Sequence, residues 1–330
     1  MESNNQKSID TMPQILDSIL PYSEIVGQSQ LKLALELAYI APCIGGVLIS
    51  GQRGTAKSTT VRAFATMMYG KLPVTIPINA TEDRVVGGWQ IEKLLDGKPE
   101  TQQGLIQAAH DSLLYIDEVN LLDGHIVNIL LDVTSTGKLV IQREGRNEQY
   151  DVQLTLVGTM NPEEGNLRPQ LQDRFGLMVN VASLLKLEER QQVLATVLAF
   201  DQALYRKQQG QSAPYLDAAQ EETRQYKQLI EQAKELFPQV HVSSKALAAC
   251  VRLADEFRVE GHRADYTLAL AAQAHAARDE RTTATTNDVA AIAELVLRHR
   301  TPESSQLEHS IWNEESDQRI AKIIEDVDTE

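Results

Sequence analysis

The chain has 330 residues, 42% of them hydrophobic, and a formal net charge of −15. That length suits two domains with real cores, while the acidic balance excludes a general nucleic-acid or membrane-surface binder. Two cysteines, Cys43 and Cys250, stand far apart without partner ligands, there is no signal pattern at the N-terminus and no apolar run near 18 residues, so a reducing, cytoplasmic setting without structural zinc is expected.

Residues 1–22 read as a flexible tail with one helical turn around 13–16. Ile25 and Val26 precede a helical pattern of Leu31, Leu33, Ala34, Leu37 and Ala38; they are candidates for contact with an adenine, or for a hydrophobic staple on that helix. Residues 45–59 then run strand, loop, helix. The backbone N–H groups of residues 54–58 can converge on a polyphosphate, because glycine permits the tight turn and the helix N-terminus adds positive dipole. Gly51, Gly54, Thr55, Ala56, Lys57, Ser58 and Thr59 form this candidate nucleotide loop. Lys57 would neutralise the β- and γ-phosphates of ATP, and the Ser58 hydroxyl would ligate Mg²⁺. Against the pattern G-x-x-x-x-G-K-[ST], Ala56 replaces the second glycine, a departure of one methyl, and Gly54 keeps the loop permissive.

Residues 74–78 read as a strand. Residues 84–104 read as an insertion into a helix, since Val85, Val86, Trp89, Ile91 and Leu94 are too apolar for a free loop; the helix resumes at Leu105. Leu113, Leu114, Tyr115 and Ile116 form a strand buried on both faces, which delivers Asp117 and Glu118 to its C-terminal edge, where open α/β sheets bind ligands. There Asp117 can hold the Mg²⁺ hydration shell, and Glu118 can polarise a water for attack on the γ-phosphorus. A helix follows through Val133, with Asp123 as its cap. Alternation across 138–152 makes a hairpin, and residues 154–161 form another central strand. Asn161 at its end either hydrogen-bonds the attacking water or γ-phosphate, or caps a turn before Pro162. Arg174 precedes a fifth strand at 177–181. It either reaches a nucleotide held by a neighbouring copy or pairs with Asp173 or Glu163.

Residues 184–208 read as one long helix and 209–217 as a linker. Beyond it the strands stop, and helical patterns at about 218–236, 243–258, 262–280 and 286–300 read as an all-helical lid domain. Arg263 begins the third of these where a charge could point back at the phosphates, unless it is a plain surface arginine. Residues 301–330 read as an acidic tail with one short amphipathic helix at 311–324, either solvated or a docking peptide.

The motifs at 51–59, 115–122, 158–165 and 168–176 together closely resemble the ATPase (I-type) subunit of magnesium chelatase and its cobalt-chelatase relatives, which are AAA+ proteins. The resemblance runs from about Tyr22 to Arg300 and implies an α/β AAA+ P-loop core at 23–208, with a parallel five-stranded sheet, followed by a helical lid at 218–300. It implies that 84–104 is the helix-2 insertion, 138–152 the hairpin before sensor 1, Asn161 sensor 1, Arg174 the arginine finger and Arg263 sensor 2. It further implies Mg²⁺-dependent ATP hydrolysis in a homo-oligomeric ring, usually a hexamer. The expected partners are a D-type AAA+ subunit with an integrin-type domain and a large porphyrin-binding subunit, with no nucleic acid or membrane. Gln172, where the family usually has Leu, and the acidic tail depart from the pattern. A MoxR-like AAA+ chaperone acting on a von Willebrand-type-domain partner is the other reading.

Overall fold

The computed structural model describes residues 16, 18–90, 93, 96, 100–143, 146–182, 186–301 and 312–330. In chain order the elements are α1 (Ser29–Ile40), β1 (Val47–Ser50), α2 (Lys57–Tyr69), β2 (Val74–Ile76), α3 (Glu82–Val86), β3 (Gly87–Trp89), β4 (Thr101–Gln103), α4 (Leu105–Ala108) and β5 (Ser112–Ile116). There follow α5 (Gly124–Thr136), β6 (Lys138–Arg143), β7 (Arg146–Asp151), β8 (Leu154–Met160), α6 (Pro169–Gln172) and β9 (Leu177–Asn180). The remainder is α7 (Leu187–Gln208), α8 (Pro214–Leu236), β10 (His241–Val242), α9 (Ser244–Glu256), α10 (Arg263–Arg278), β11 (Thr283–Ala284), α11 (Thr286–Leu297) and α12 (Glu314–Thr329).

The central sheet has five strands in the order β2-β5-β8-β1-β9, all parallel. Its inner strands β5, β8 and β1 are buried along their whole length because both faces are covered by helices. The pleat divides their side chains: Val47, Ile49, Leu113, Tyr115 and Val157 enter one core with α1, α2 and the C-terminal helices, whereas Leu48, Leu114, Ile116 and Leu156 enter another with α5. A parallel sheet of this order places every strand's C-terminal end on one edge, and the loops that leave that edge follow β1, β5 and β8.

Two antiparallel pairs decorate the sheet. β3 and β4 lie between α3 and α4, so a short helix breaks at Gly87 and a second begins at Leu105; residues 91, 92, 94, 95 and 97–99 of the expected insertion lie outside the described residues. β6 and β7 pair from Lys138↔Asp151 to Arg143↔Arg146, with the turn at 144–145 outside the described residues. Gly87 is required here, since its φ is +103° and a Cβ would stand 2.8 Å from the Gln102 carbonyl.

Four sequence expectations need correction. The lid is mostly but not wholly helical, because β10 and β11 pair in parallel within it, His241 opposite Thr283 and Val242 opposite Ala284. The tail expected at 1–22 ends earlier: Ile19 and Leu20 pack against the core and Tyr22 is buried within it, while the turn at 13–16 lies, except for Leu16, outside the described residues. The linker expected at 209–217 is shorter, spanning 209–213. Pro214 starts α8, as its fixed φ and missing N–H allow at a first helical position, and Ala213 and Leu216 bury against Phe200 and Ala203 of α7. The C-terminal segment is not a solvated tail. Ile320, Ile323, Ile324 and Val327 recur at helical spacing and place one face of α12 in the lid core. Trp312 stacks on Phe257 with ring centroids 5.3 Å apart. Lys245 Nζ donates to the Asp328 carbonyl at 2.7 Å and Arg319 Nε to Glu256 at 2.9 Å, so the acidic segment docks on its own lid. The expected start of this helix at 311 lies outside the described residues.

Glu36 of α1 joins the lid to the core. Its buried carboxylate accepts from Tyr22 (3.0 Å), from Tyr226 of α8 (2.9 Å) and from Arg278 Nε of α10 (2.5 Å). A charge wholly out of water persists only when paired and fully hydrogen-bonded, which these three donors achieve.

Candidate functional site

The loop between β1 and α2 is shaped by close approaches. A Cβ on Gly51 would lie 2.3 Å from the Val181 carbonyl, so only glycine fits where the chain leaves β1. Gly54 has φ +78° with open space around it. Ala56 has φ 62° and ψ 16°, in the left-handed region. The missing glycine therefore costs the loop through backbone conformation more than through the bulk of a methyl, about 1 kcal/mol by the usual penalty for an L-residue there. Thr55 is buried and its hydroxyl donates to the Gln52 carbonyl at 2.9 Å, and Thr59 is exposed on the first turn of α2. Lys57 Nζ lies inside the loop, donating to the carbonyls of Gly51 (2.5 Å) and Gln52 (2.7 Å). Partial burial lowers its pKa, against the pull of Asp117, Glu118 and Glu164.

Asp117, Glu118 and Asn161 reach the same edge. β5 and β8 are neighbours with Ile116 opposite Gly158, so the residues after these strands emerge side by side. Tyr115 OH donates to Asp117 Oδ1 and lies 2.9 Å from both that oxygen and Ser58 Oγ. Thr159 Oγ1 donates to Asp117 Oδ1 at 2.7 Å. Ser58 and Asp117 thus share one phenol, and a hydroxyl beside a carboxylate is a hard-oxygen donor set that fits Mg²⁺. Burial raises the Tyr115 pKa, so the phenol keeps its proton. Glu118 has φ 58°, a left-handed position of the kind that clusters at functional sites, and accepts from Arg53 at 3.4 Å. Arg53 also pairs with Glu164, and Gln52 Nε2 donates to Glu163 at 3.2 Å. Asn161 is buried, and its side-chain oxygen accepts from the Glu163 N–H at 3.3 Å, so it caps the turn at Pro162 while sitting beside the loop.

Ile25 is buried in the core and Val26 half-buried. The contact from this segment to the loop comes instead from Gln28, whose Nε2 donates to the Thr55 carbonyl at 3.2 Å.

Arg174 and Arg263 lie elsewhere. β9 runs parallel to β1 with Val47 opposite Leu177 and Ser50 opposite Asn180. The nucleotide loop follows Ser50 and Arg174 precedes Leu177, so the two occupy opposite edges of the sheet, separated by the length of β1, roughly 13 Å. Arg174 pairs with Asp132 and Asn128 of α5, not with Asp173 or Glu163. Arg263 does not point back at its own phosphate loop: its guanidinium pairs with Asp173 Oδ2 at 3.1 Å, beside Arg174. Burial lowers the Arg174 pKa, and the charge of Arg263 lowers it further, which places two cations on one outer surface. Tyr115, Thr159, Arg53 and Gln28 were not singled out by the sequence. The pleat puts residues 115 and 117 on one face, but Thr159 is found only once β5 and β8 are known to be neighbours.

Residues 46–175 match the AAA domain (dynein-related subfamily) and residues 247–323 the AAA lid domain. The magnesium-chelatase subunit ChlI homolog of Methanocaldococcus jannaschii is 39% identical, the alignment covering 87% of this chain and 86% of that protein. The chain belongs to the magnesium-chelatase I-subunit family. The magnesium-chelatase 38 kDa subunit of Chlorobaculum tepidum is 36% identical over 92% of this chain and 86% of its own length. A crystal structure from Cytophaga hutchinsonii, 19% identical and covering 93% of this chain and 90% of its own, superposes with a TM-score of 0.58, which speaks to the AAA+ fold alone. Among the described residues of this I-subunit relative, no helix is long and apolar enough to cross a membrane.

Proposed function

We propose that this chain is the ATP-hydrolysing motor subunit of a magnesium-chelatase-type complex. In this reading copies assemble in a ring, hexameric by resemblance, and pass conformational change to a D-type AAA+ subunit and a large porphyrin-binding subunit where metal enters the tetrapyrrole. Family membership supports the chelatase assignment. The observation that carries the shared-site part is the placement of Arg174 and Arg263 at the sheet edge opposite Lys57, Asp117 and Glu118.

Each residue then has one task. The N–H groups of residues 54–58 and the Lys57 ammonium bind the β- and γ-phosphates, with Val26 and Ile25 bordering the adenine. Ser58 and Asp117 would hold Mg²⁺, which supplies charge neutralisation to the phosphates when bound. Glu118 accepts the proton of the attacking water and Asn161 orients that water. Arg174 and Arg263 of the neighbouring copy balance the charge that develops on the transferred phosphoryl group. Arg53 must release Glu118 for that work, since its guanidinium hydrogen-bonds a Glu118 carboxylate oxygen.

Glu118→Gln tests the reading. ATP binding should persist, hydrolysis should fall by about a hundredfold or more, and metal insertion by co-purified partner subunits should stop. Insertion at the unaltered rate would contradict the motor role.

A further inference from the structure

Residues 173–176, which carry Arg174, are held by the lid. Arg300 follows α11, its side chain is 1% exposed, and all of its five N–H donors are used. Nε donates to Asp173 Oδ1 (3.2 Å), one terminal nitrogen to the carbonyls of Asp173 (3.0 Å) and Phe175 (2.6 Å), and the other to the carbonyls of Gly176 (3.0 Å) and Val296 (2.5 Å). The preceding His299 donates Nε2–H to the same Phe175 carbonyl at 2.9 Å. On the opposite side the segment rests on the core: a Cβ at Gly176 would stand 2.0 Å from the Ile44 carbonyl. Burial pulls the Arg300 pKa down to about 10, yet the group stays charged.

We infer that Arg300 is a positioning residue for Arg174: its guanidinium fork fixes the backbone on both sides of the finger and ties the finger's aim to the lid that also carries Arg263. Simple adhesion between lid and core does not require a buried cation, because well-packed apolar side chains of similar volume serve as well or better. A planar fork with every donor engaged instead specifies geometry. Asp173 extends the linkage, since one of its oxygens takes Arg300 and the other takes Arg263. The lid of one copy thereby sets how the next copy's ATP is hydrolysed. This inference rests on the shared-site reading above.

Arg300→Met keeps most of the volume and removes every donor. The expected result is ATP binding and KM close to those of the unaltered chain, with kcat lower by about tenfold or more, the scale of a small misplacement of a catalytic group. Mixed with Lys57→Ala, which has a dead nucleotide loop and an intact finger, Arg300→Met should regain activity above the sum of the two alone, as Arg174→Ala should in the same mixture. Full activity of Arg300→Met alone, or rescue of Arg174→Ala without rescue of Arg300→Met, overturns the positioning role and leaves the shared site standing. Failure of the Arg174→Ala mixture overturns the shared site and the positioning role with it. Should Arg300→Met not fold, Arg300→Lys, which keeps the charge and loses the planar fork, carries the same comparison with the same expected and contrary results.

Discussion

Ala56 occupies a left-handed backbone position that glycine would fill without steric cost. Ala56→Gly relieves that strain but adds freedom to the unfolded chain, and at a positive φ the first effect is larger. The expected gain is about 1 kcal/mol, or roughly 2 °C in the thermal midpoint, with ATP binding retained. Differential scanning calorimetry checks this, and a lowered midpoint would show that the loop relaxes around the alanine. The residues that touch phosphate in any such loop were legible from the sequence because glycine, lysine and serine at this spacing have a common physical cause. Tyr115, Thr159 and Arg53 were not, because each acts through a partner 57, 42 or 65 positions away. The sequence motif also left Asn161 between two roles, and its side chain takes the cap while standing at the site.

At the scale of elements, the long apolar runs of β1, β5 and β8 announced themselves, and a sheet covered on both faces follows from them. α12 was harder to read. Its acidic content suggested a solvated peptide, yet the stripe of Ile320, Ile323, Ile324 and Val327 buries against the lid while Lys245 of α9 bonds the Asp328 carbonyl and Arg252 of α9 pairs with Glu330 just beyond the helix. Composition averaged over the segment concealed a face that spacing along the helix reveals. Ile324→Ala should therefore destabilise the protein by about 2 to 5 kcal/mol, the usual range for a buried aliphatic truncation, measured by urea unfolding. A solvated tail would give no measurable change. The same reasoning explains the mistaken linker: Pro214 reads as a breaker, but at a first helical position it starts α8.

At the scale of the whole molecule, the decisive fact is the order of the sheet. In sequence Arg174 follows Asn161 by only 13 positions, yet its place just before a fifth strand already pointed to a nucleotide held by a neighbouring copy. The chain between them crosses from the C-terminal end of β8 to the N-terminal end of β9, which carries the arginine to the other edge. The placement follows from β9 running parallel to β1, so that the residue before Leu177 stands at the edge opposite the loop after Ser50. The lid follows suit: Arg263 of α10 and Arg300 both pair with Asp173 beside Arg174, at the sheet edge opposite the chain's own nucleotide loop. In the shared-site reading proposed above, one copy holds half of each of two sites, and hydrolysis depends on assembly. A cryo-electron-microscopy map of the Glu118→Gln protein assembled with ATP and Mg²⁺ tests this most directly. The account predicts the γ-phosphate held by Lys57 of one copy and met by Arg174 and Arg263 of the next; a map in which Arg174 of the same copy reaches that phosphate would contradict it.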